Sequence, residues 1–281
     1  MKTGIVIAVA NQKGGVTKTT TCRYLADVYA AQGKKILMID CDPQASLTKG
    51  YQYDPKMFEG ENDSNICNIF RKKSVNIISL DEYNENIHLL PANKELGAIS
   101  DSSIIGKDLM FRKFINENNL RDYYDIIFMD NNPKFDTMTI NSILSADVYV
   151  VPVGTTKDDQ EGLQGFFDNT EETLSSYGHK ISKIVCIPSR YNTVTNVAKD
   201  YLGIIKNDVV PYINENCPTL AKAKYETAQP IPEAVPFQEA ASYNMSCYKY
   251  LRSYGSHSTM KREKQNDLID RMEKIAKIII K

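Results

Sequence analysis

Two lysines and a glycine pair lie close together near the start of the chain, in the segment Lys13-Gly14-Gly15-Val16-Thr17-Lys18-Thr19-Thr20. Backbone N–H groups left accessible by glycine, together with a lysine amine, are groups that bind phosphate oxygens. A threonine hydroxyl directly after the lysine is a typical Mg²⁺ ligand in such loops. The strict pattern G-x-x-x-x-G-K-[ST] is not met, because Gln12 and Thr17 stand at its two glycine positions. The segment therefore predicts a phosphate-binding loop that has one lysine more than a single triphosphate needs.

Acidic residues follow two apolar runs farther along the chain. Asp40 and Asp42 come at the end of the run 35–40, and Asp130 ends the run 125–130. In open α/β sheets, ligands bind outside the carboxyl ends of the strands, so these carboxylates are expected to meet at the phosphate loop. Carboxylates at that place hold Mg²⁺ or position the group that attacks a phosphate.

The elements that must position these residues follow from the hydrophobic pattern. Residues 4–11 form a short apolar run rich in β-branched side chains, which is typical of a buried strand. Apolar residues recur at helical spacing from Lys18 to about Ala31. The glycine pair thus lies at a strand-to-helix turn, where the positive end of the helix dipole faces the phosphate.

The rest of the chain continues the alternation of strands and helices. Strands are predicted at 87–90, 125–130, 147–153 and 181–188, helices near 65–72 and 108–118, and a loop at 51–63. The pattern predicts an α/β fold, a single-domain P-loop NTPase with a mostly parallel twisted sheet flanked by helices on both faces. Because no linker is evident, residues 1–281 are expected to form one domain, with a C-terminal helix at about 258–281 docked on it.

Composition narrows the function classes. The 34 Lys and Arg residues nearly balance the 35 Asp and Glu residues, so any DNA or membrane binding must use a local patch. The six cysteines are scattered without metal-ligand spacing, so no zinc or iron–sulfur site is expected. No leader or apolar segment of about 18 residues is evident, so we expect a cytoplasmic protein that does not span a membrane.

The motifs resemble those of the ParA/MinD group of ATPases, whose deviant Walker A motif is K-G-G-x-x-K-[ST]. The segment Asp40-Cys41-Asp42-Pro43-Gln44 resembles the ParA version of the switch I loop, and the segments 141–153 and 231–243 also match the family's pattern. The resemblance covers roughly residues 4–250. It is to the short ParA type, which lacks an N-terminal helix-turn-helix domain.

This resemblance implies roles for individual residues. Residues 13–20 would bind ATP, with Lys18 on the β- and γ-phosphates. Thr19 would bind Mg²⁺ directly, and Asp40 and Asp130 would bind it through water. Asp42 would orient the attacking water, and Lys13 would reach the partner subunit's phosphates across an ATP-dependent homodimer. The implied catalytic residues are then Lys13, Lys18 and Asp42, and the cofactors are ATP and Mg²⁺.

The resemblance also implies partners. A ParA-like dimer would bind nucleoid DNA non-specifically and segregate a plasmid or chromosome with a ParB-like centromere-binding protein. The arginine positions that many relatives use for DNA hold Glu233 and Pro236 here, so other cations are needed. Lys222 and Lys224, expected on one strand, and Lys249 and Arg252 are the candidates, with further cations at 261, 262 and 264. Residues 190–192 are candidates for the adenine pocket.

Two alternatives remain open from the residues alone. A MinD-like or cargo-positioning ATPase would act on a membrane or a protein cargo, and the amphipathic tail with Leu268, Met272, Ile275 and Ile279 on one face is compatible with membrane binding. Asp270 and Glu273 interrupt its basic face, however, which favours docking on the sheet. A metabolic P-loop kinase or synthetase is disfavoured by Lys13 and by the Asp-Pro-Gln segment.

Overall fold

A sheet whose strands run parallel, except at one edge, forms the centre of the molecule. The computed structural model describes residues 3–60, 62–154, 157–191, 205–232 and 234–281. The strand order is β3-β4-β2-β5-β1-β6-β7-β8, with β9 beside β7, and among the described strands only β3 pairs antiparallel, to β4. The strands are β1 Ile5–Val9, β2 Ile36–Cys41, β3 Ile78–Ser79, β4 Ile87–Leu90, β5 Ile126–Asn131, β6 Val148–Val153, β7 Lys183–Tyr191, β8 Lys224–Thr227 and β9 Ile231–Pro232.

Helices connect the strands and cover the sheet. Short 3-10 turns lie at Pro55–Phe58, Lys107–Leu109, Leu220–Lys222 and Gly255–His257, and a π turn lies at Ile205–Val209. The α-helices are α1 Lys18–Ala30, α2 Ser46–Gly50, α3 Asn68–Arg71, α4 Glu95–Ser100, α5 Met110–Glu117, α6 Leu120–Tyr123, α7 Thr137–Ser145, α8 Lys157–Tyr177, α9 Val210–Asn216, α10 Val235–Ser242, α11 Cys247–Tyr254 and α12 Arg262–Ile280.

Burial on both faces of the sheet explains why its strands are apolar without interruption. In β1, Val6 and Ala8 point into one hydrophobic core, whereas Ile7 and Val9 point into the other. Such two-sided burial is the environment of a parallel sheet, in which crossover helices cover both faces. The predicted fold class, a mostly parallel sheet between helices, is confirmed.

The register of the central strands brings the acidic residues together. Val9 pairs with Asp130 across β1 and β5, and Asp40 pairs with Asp130 across β2 and β5. Because all three strands run parallel, their carboxyl ends reach the same edge of the sheet. The phosphate loop follows β1 at this edge, next to both carboxylates.

Helix α12 packs along α1 and covers one face of the sheet. Its residues Leu268, Met272, Ile275 and Ile279 are each at most 1% exposed, so the apolar face found in the sequence is buried inside the molecule. The Tyr29 hydroxyl donates to the Ala276 carbonyl at 2.7 Å. The Lys183 amine donates to the Ile278 carbonyl at 2.8 Å, which satisfies a carbonyl of the last helical turn. Among the described helices, none is long and apolar enough to cross a bilayer.

We expect Met272→Ala to destabilise the protein by about 2–4 kcal/mol, because it leaves a cavity where the helix is fully buried. The measurement is the free energy of unfolding in urea. Lys277→Ala on the exposed face of the same helix is the control, expected within about 0.5 kcal/mol of the parent. Equal losses in the two variants would mean that the helix is not docked as described.

Candidate functional site

The phosphate loop between β1 and α1 is closed by its own hydrogen bonds. The Lys18 ammonium donates to the Lys13 carbonyl at 2.9 Å, and Lys18 is only 8% exposed. The Lys13 N–H donates to the Asn11 side-chain oxygen at 3.0 Å, and the Asn11 amide donates to the Pro152 carbonyl at 2.8 Å. The loop is thereby fastened to the end of β6, with one lysine inside it.

Thr17 has the backbone conformation of a glycine. Its φ of 67° and ψ of 25° are left-handed, like the φ of 76° at Gly15 in the same loop. A β-branched residue rarely adopts this conformation, at a cost of about 1–3 kcal/mol. Threonine thus occupies a left-handed position at which glycine would carry no strain.

Asp40 is held in place by hydrogen bonds from the chain that follows it. One carboxylate oxygen accepts from the Thr48 N–H at 2.8 Å and from the Thr48 hydroxyl at 2.7 Å, and the other accepts from the Asp42 N–H at 3.1 Å. Asp40 is fully buried, and this burial raises its pKa to about 6 although the hydrogen bonds oppose the shift. Thr48 was not recognised from the sequence, because its contact depends on the turn into α2.

The Asp130 carboxylate lies at the same site as Asp40 and the phosphate loop. It is 1% exposed, and among the residues that the structure describes neither of its oxygens has a hydrogen-bond partner. Burial first, and then the negative charge of Asp40, raise its pKa to about 8. The Thr19 hydroxyl and the Lys18 charge lie close enough to lower this pKa, but Thr19 does not reach the geometry of a full hydrogen bond.

These residues fit a phosphate and a hydrated magnesium ion. Burial lowers the pKa of Lys18, although the negative charges of Asp130 and Asp42 oppose the shift. A buried carboxylate without donors is the kind of group that water on a divalent cation satisfies. An anionic phosphate beside Lys18 and a cation beside Asp130 would each restore the charged form of its neighbour. Thr19, at the start of α1, has a hydroxyl that would be available to the metal.

Lys13 and Asp42 lie on the open side of the site. Both are half-buried, and one carboxylate oxygen of Asp42 accepts from the Gln44 N–H at 2.8 Å. Within the described residues, the Lys13 ammonium makes no hydrogen bond or ion pair, in contrast to Lys18.

The segment after Asp130 is a turn fixed by polar side chains. The Asn131 amide donates to the carbonyls of Val9 and Met129, both at 3.2 Å. The Asn132 amide donates to Asp136 at 2.9 Å, and Asp136 caps α7 by accepting from the N–H groups of residues 138 and 139. Lys134 is exposed at the tip. These side chains form a polar turn directly after Asp130.

A small cavity beside the loop suits a planar base. Its volume is about 130 Å³, and it lies between the first turns of α1 and the segment that leads into α10. It is lined by Thr17, Thr20, Thr21, Tyr24, Ile231, Pro232, Ala234, Phe237 and Gln238. From the sequence, the segment 231–243 was matched to the family's pattern, but it was not predicted to bind the adenine base. Asn192 and the side chains of residues 190 and 191, the earlier candidates, lie outside the described residues.

Comparison with known proteins identifies the family. The family model of an AAA domain matches residues 4–183, which is more than half of the chain. The chain belongs to this AAA domain family. The chromosome-partitioning ATPase Soj of Thermus thermophilus is 28% identical over 199 residues, which cover 69% of this chain and 72% of Soj. The sporulation initiation inhibitor protein Soj of Bacillus subtilis is 29% identical over 168 residues, covering 57% of this chain and 62% of that protein. The resemblance to ParA-type partition ATPases is confirmed.

Solved structures agree on the fold. A protein described as a plasmid partition protein, from Borrelia burgdorferi B31 and bound to AMPPNP, superimposes with a TM-score of 0.71 at 22% identity, covering 99% of this chain and 98% of that chain. An ATP complex of Cyanothece McdA gives a TM-score of 0.75 at 18% identity, with coverage of 99% and 98%. Cobyrinic acid a,c-diamide synthase from Mycobacterium smegmatis, with an ATP analog and magnesium, gives 0.66 at 23% identity, with coverage of 92% and 98%. At these identities the likeness shows the fold alone.

Two of the candidate DNA-binding cations of this AAA domain protein lie at the edge of the sheet. The expected strand is shorter than predicted, because Lys222 ends a 3-10 turn and β8 begins only at Lys224. Lys222 is exposed, whereas the Lys224 ammonium lies 2.7 Å from the Glu226 carboxylate. Pro236 is buried in the first turn of α10, and Glu233 lies outside the described residues.

The other two candidate cations lie on α11. The Lys249 ammonium lies over the Tyr83 ring and donates to the Tyr83 carbonyl. This cation therefore already has partners within its own chain. Arg252 is exposed and lies 3.8 Å from the Glu273 carboxylate of α12. Lys261, Arg262 and Lys264, at the start of α12, are all exposed.

The pKa of Asp130 gives a stability prediction for the ligand-free protein. A pKa raised from 3.8 to about 8 means that stability is highest below the lower value and is lost as pH rises through the upper one. Asp130→Asn removes this loss. We therefore expect its melting temperature, relative to that of the parent, to increase by several degrees between pH 5 and pH 8, measured without nucleotide and with a chelator.

The exposed Asp122→Asn is the control for this experiment, and its difference from the parent should not change with pH. A difference for Asp130→Asn that stays constant from pH 5 to pH 8 would contradict the raised pKa of the buried Asp130 carboxyl.

Proposed function

We propose that this protein is an Mg²⁺-dependent ATPase of the ParA type that dimerises when it binds ATP and works in DNA partition or positioning. One observation carries the proposal. Of the two loop lysines, Lys18 is buried on the Lys13 carbonyl, whereas the Lys13 side chain has no partner within the described residues. A monomer that bound one ATP would need only the first of these charges.

ATP binding uses the backbone and the first turn of α1. Residues 13–20 present N–H groups and the helix N-terminus to the phosphates, and Lys18 neutralises the β- and γ-phosphates. Thr19 would hold the magnesium ion directly and Asp130 through water, and the ion would neutralise charge on the phosphates. The cavity between Tyr24 and Pro232 receives the adenine.

Hydrolysis depends on orientation more than on covalent chemistry. Asp42 lies at the open edge of the site, where its free carboxylate oxygen can accept a hydrogen bond from the attacking water. Asp40 keeps its position because Thr48 and the Asp42 N–H bind both of its oxygens. The segment from Asp40 to Thr48 therefore acts as one unit that aims Asp42.

Lys13 then belongs to the neighbouring subunit's site. Its ammonium reaches the phosphates of the partner's ATP, so that two nucleotides hold the dimer together and each site is completed by the other chain. The name of the Thermus relative, a chromosome-partitioning ATPase, supports a role in DNA segregation. We propose that the dimer binds nucleoid DNA in the cytoplasm and that a ParB-like protein stimulates hydrolysis.

The two loop lysines are expected to fail in different ways. Lys18→Ala should lose ATP binding, because nothing else in the loop neutralises the β- and γ-phosphates. Lys13→Ala should bind ATP as a monomer with affinity within about threefold of the parent but should not dimerise. The measurements are calorimetry with ATP and Mg²⁺, and size-exclusion chromatography with light scattering.

The Asp42→Ala variant is expected to trap the ATP-bound dimer, with which the other variants are compared. It should bind ATP, release little phosphate and remain a dimer, and adding Lys13→Ala to it should restore the monomer. A monomeric Asp42→Ala with ATP bound would refute ATP-dependent dimerisation, and normal phosphate release would refute the role of Asp42.

DNA binding is expected to use the exposed cations at the start of α12. We expect Lys261→Glu with Lys264→Glu to weaken binding of the trapped dimer to random duplex DNA about tenfold or more and to flatten its salt dependence, because fewer counterions are released. Fluorescence anisotropy at several salt concentrations measures this. Lys72→Glu with Lys113→Glu, which makes the same charge change at exposed residues, is the control and should have a smaller effect.

A further inference from the structure

A second cavity lies away from the phosphate loop, on the face of the sheet that α1 and α11 cover. Its volume is about 550 Å³, within the range of small-ligand sites. Its walls come from the segment after α2, the turn between β3 and β4, and the segment between α10 and α11. The lining includes four tyrosines, namely Tyr51, Tyr53, Tyr83 and Tyr243.

Two of these tyrosine rings already bind cations of the same chain. The Lys249 ammonium lies 3.5 Å from the Tyr83 ring centroid, and the Arg23 guanidinium lies 5.2 Å from that of Tyr51. Both distances are within the range of cation–π attraction. The surroundings of the cavity therefore stabilise positive charge.

A buried carboxylate, that of Asp27, lies near the positive charges of Lys249 and Arg23. Asp27, which is 4% exposed, accepts a hydrogen bond from the Tyr83 hydroxyl at 2.7 Å and another from the Ser246 hydroxyl. Arg23 and Asp27 belong to α1, and Arg23 also donates to the Asn244 carbonyl at 2.8 Å. Lys249, which lines the cavity, lies close enough to Asp27 for the two opposite charges to attract each other.

The rim of the cavity has an excess of negative charge. Asp81 and Glu82 are both exposed, and within the described residues neither carboxylate has an ion-pair partner. Asp81 accepts a hydrogen bond from the Ser79 hydroxyl, which fixes its direction at the rim. Across the opening, Tyr243 is 46% exposed and offers a ring face.

One unsatisfied polar atom belongs to a residue that lines the cavity, and two others belong to α1 residues that contact the lining tyrosines. Tyr51 lines the cavity and is 7% exposed, and its hydroxyl has no hydrogen-bond partner in the described parts of the chain. The Arg23 Nε and one Asp27 oxygen are likewise buried without partners. Buried polar atoms without partners are uncommon in native proteins and indicate a place for water or a polar ligand.

We propose that this cavity is a docking site for a cationic side chain of a partner protein, an arginine held by the tyrosine rings and by Asp81 and Glu82. A guanidinium is planar, stacks on aromatic rings and donates to carboxylates in pairs, so it matches both walls. The Asn244 and Gln52 side chains at the opening are both exposed and can bind the backbone of the arriving segment. The proposal does not depend on ATP binding.

The test uses the full chain without nucleotide, carrying ¹³C-labelled tyrosine, and follows the ring signals by NMR. The probe is the peptide acetyl-Gly-Ser-Arg-Ser-Gly-amide, and the reference is the same peptide with neutral citrulline in place of arginine. We expect saturable shifts confined to the signals of the four lining tyrosines and of tyrosines in direct contact with them. The citrulline peptide should bind about fivefold more weakly or worse.

Asp81→Asn with Glu82→Gln should weaken binding of the arginine peptide about fivefold, because the rim charge is lost. Glu172→Gln with Glu215→Gln removes the same charge from exposed positions on α8 and α9 and should leave binding unchanged. The melting temperature of each variant shows that the fold is kept.

Three results would overturn the proposal. Equal affinity for the arginine and citrulline peptides would remove the role of charge. An unchanged affinity of the Asp81→Asn, Glu82→Gln variant would place the peptide elsewhere. Tighter binding of spermidine than of the peptide, with the same shifts, would assign the cavity to a free polyamine instead of a protein partner.

Discussion

The parallel pairing of β2, β5 and β1 is the constraint on which the site depends. It aligns Asp40 with Asp130 and ends β1 beside them, so that the loop lysine and both carboxylates meet at one edge. The same pairing buries the carboxylates, and burial raises the pKa of both. Without ligand, the buried charges of the loop lysine and of the two carboxylates are unfavourable. Phosphate and magnesium stabilise them, because each charged side chain then lies beside an opposite charge.

Local costs accumulate at this edge of the sheet. Thr17 has a glycine-like backbone, and Asp130 and the side-chain oxygen of Asn131 lack hydrogen-bond donors. Each of these is unfavourable for the folded protein by itself. The two apolar cores on either side of the sheet contribute the stability that offsets these unfavourable features. Strain and unsatisfied polar groups located together at a ligand site are typical of a protein that trades stability for function.

The fold and the place of the phosphate loop could be predicted from sequence because their signals are local. The strand at Ile87–Leu90 was predicted with its observed bounds, and the loop lies between β1 and α1 as expected. The single domain and the roles of Lys13, Asp42 and the DNA-contacting cations stay predictions. The strand expected at Lys222 was wrong, because a 3-10 turn precedes β8 and alternation over three residues does not separate a strand from a turn.

The sequence by itself determined which groups this protein can offer, namely a loop with two lysines, carboxylates after strands and an amphipathic tail. Hydrophobic periodicity and turn residues are local properties of the sequence, so they can be recognised without knowing which distant residues they contact. Only the tertiary structure decided which charges are free. Thr48 binds Asp40, and Lys249 lies against Tyr83, a contact between residues 166 positions apart. Burial and long-range contacts set the energy of a charge, and neither leaves a local signal in the sequence.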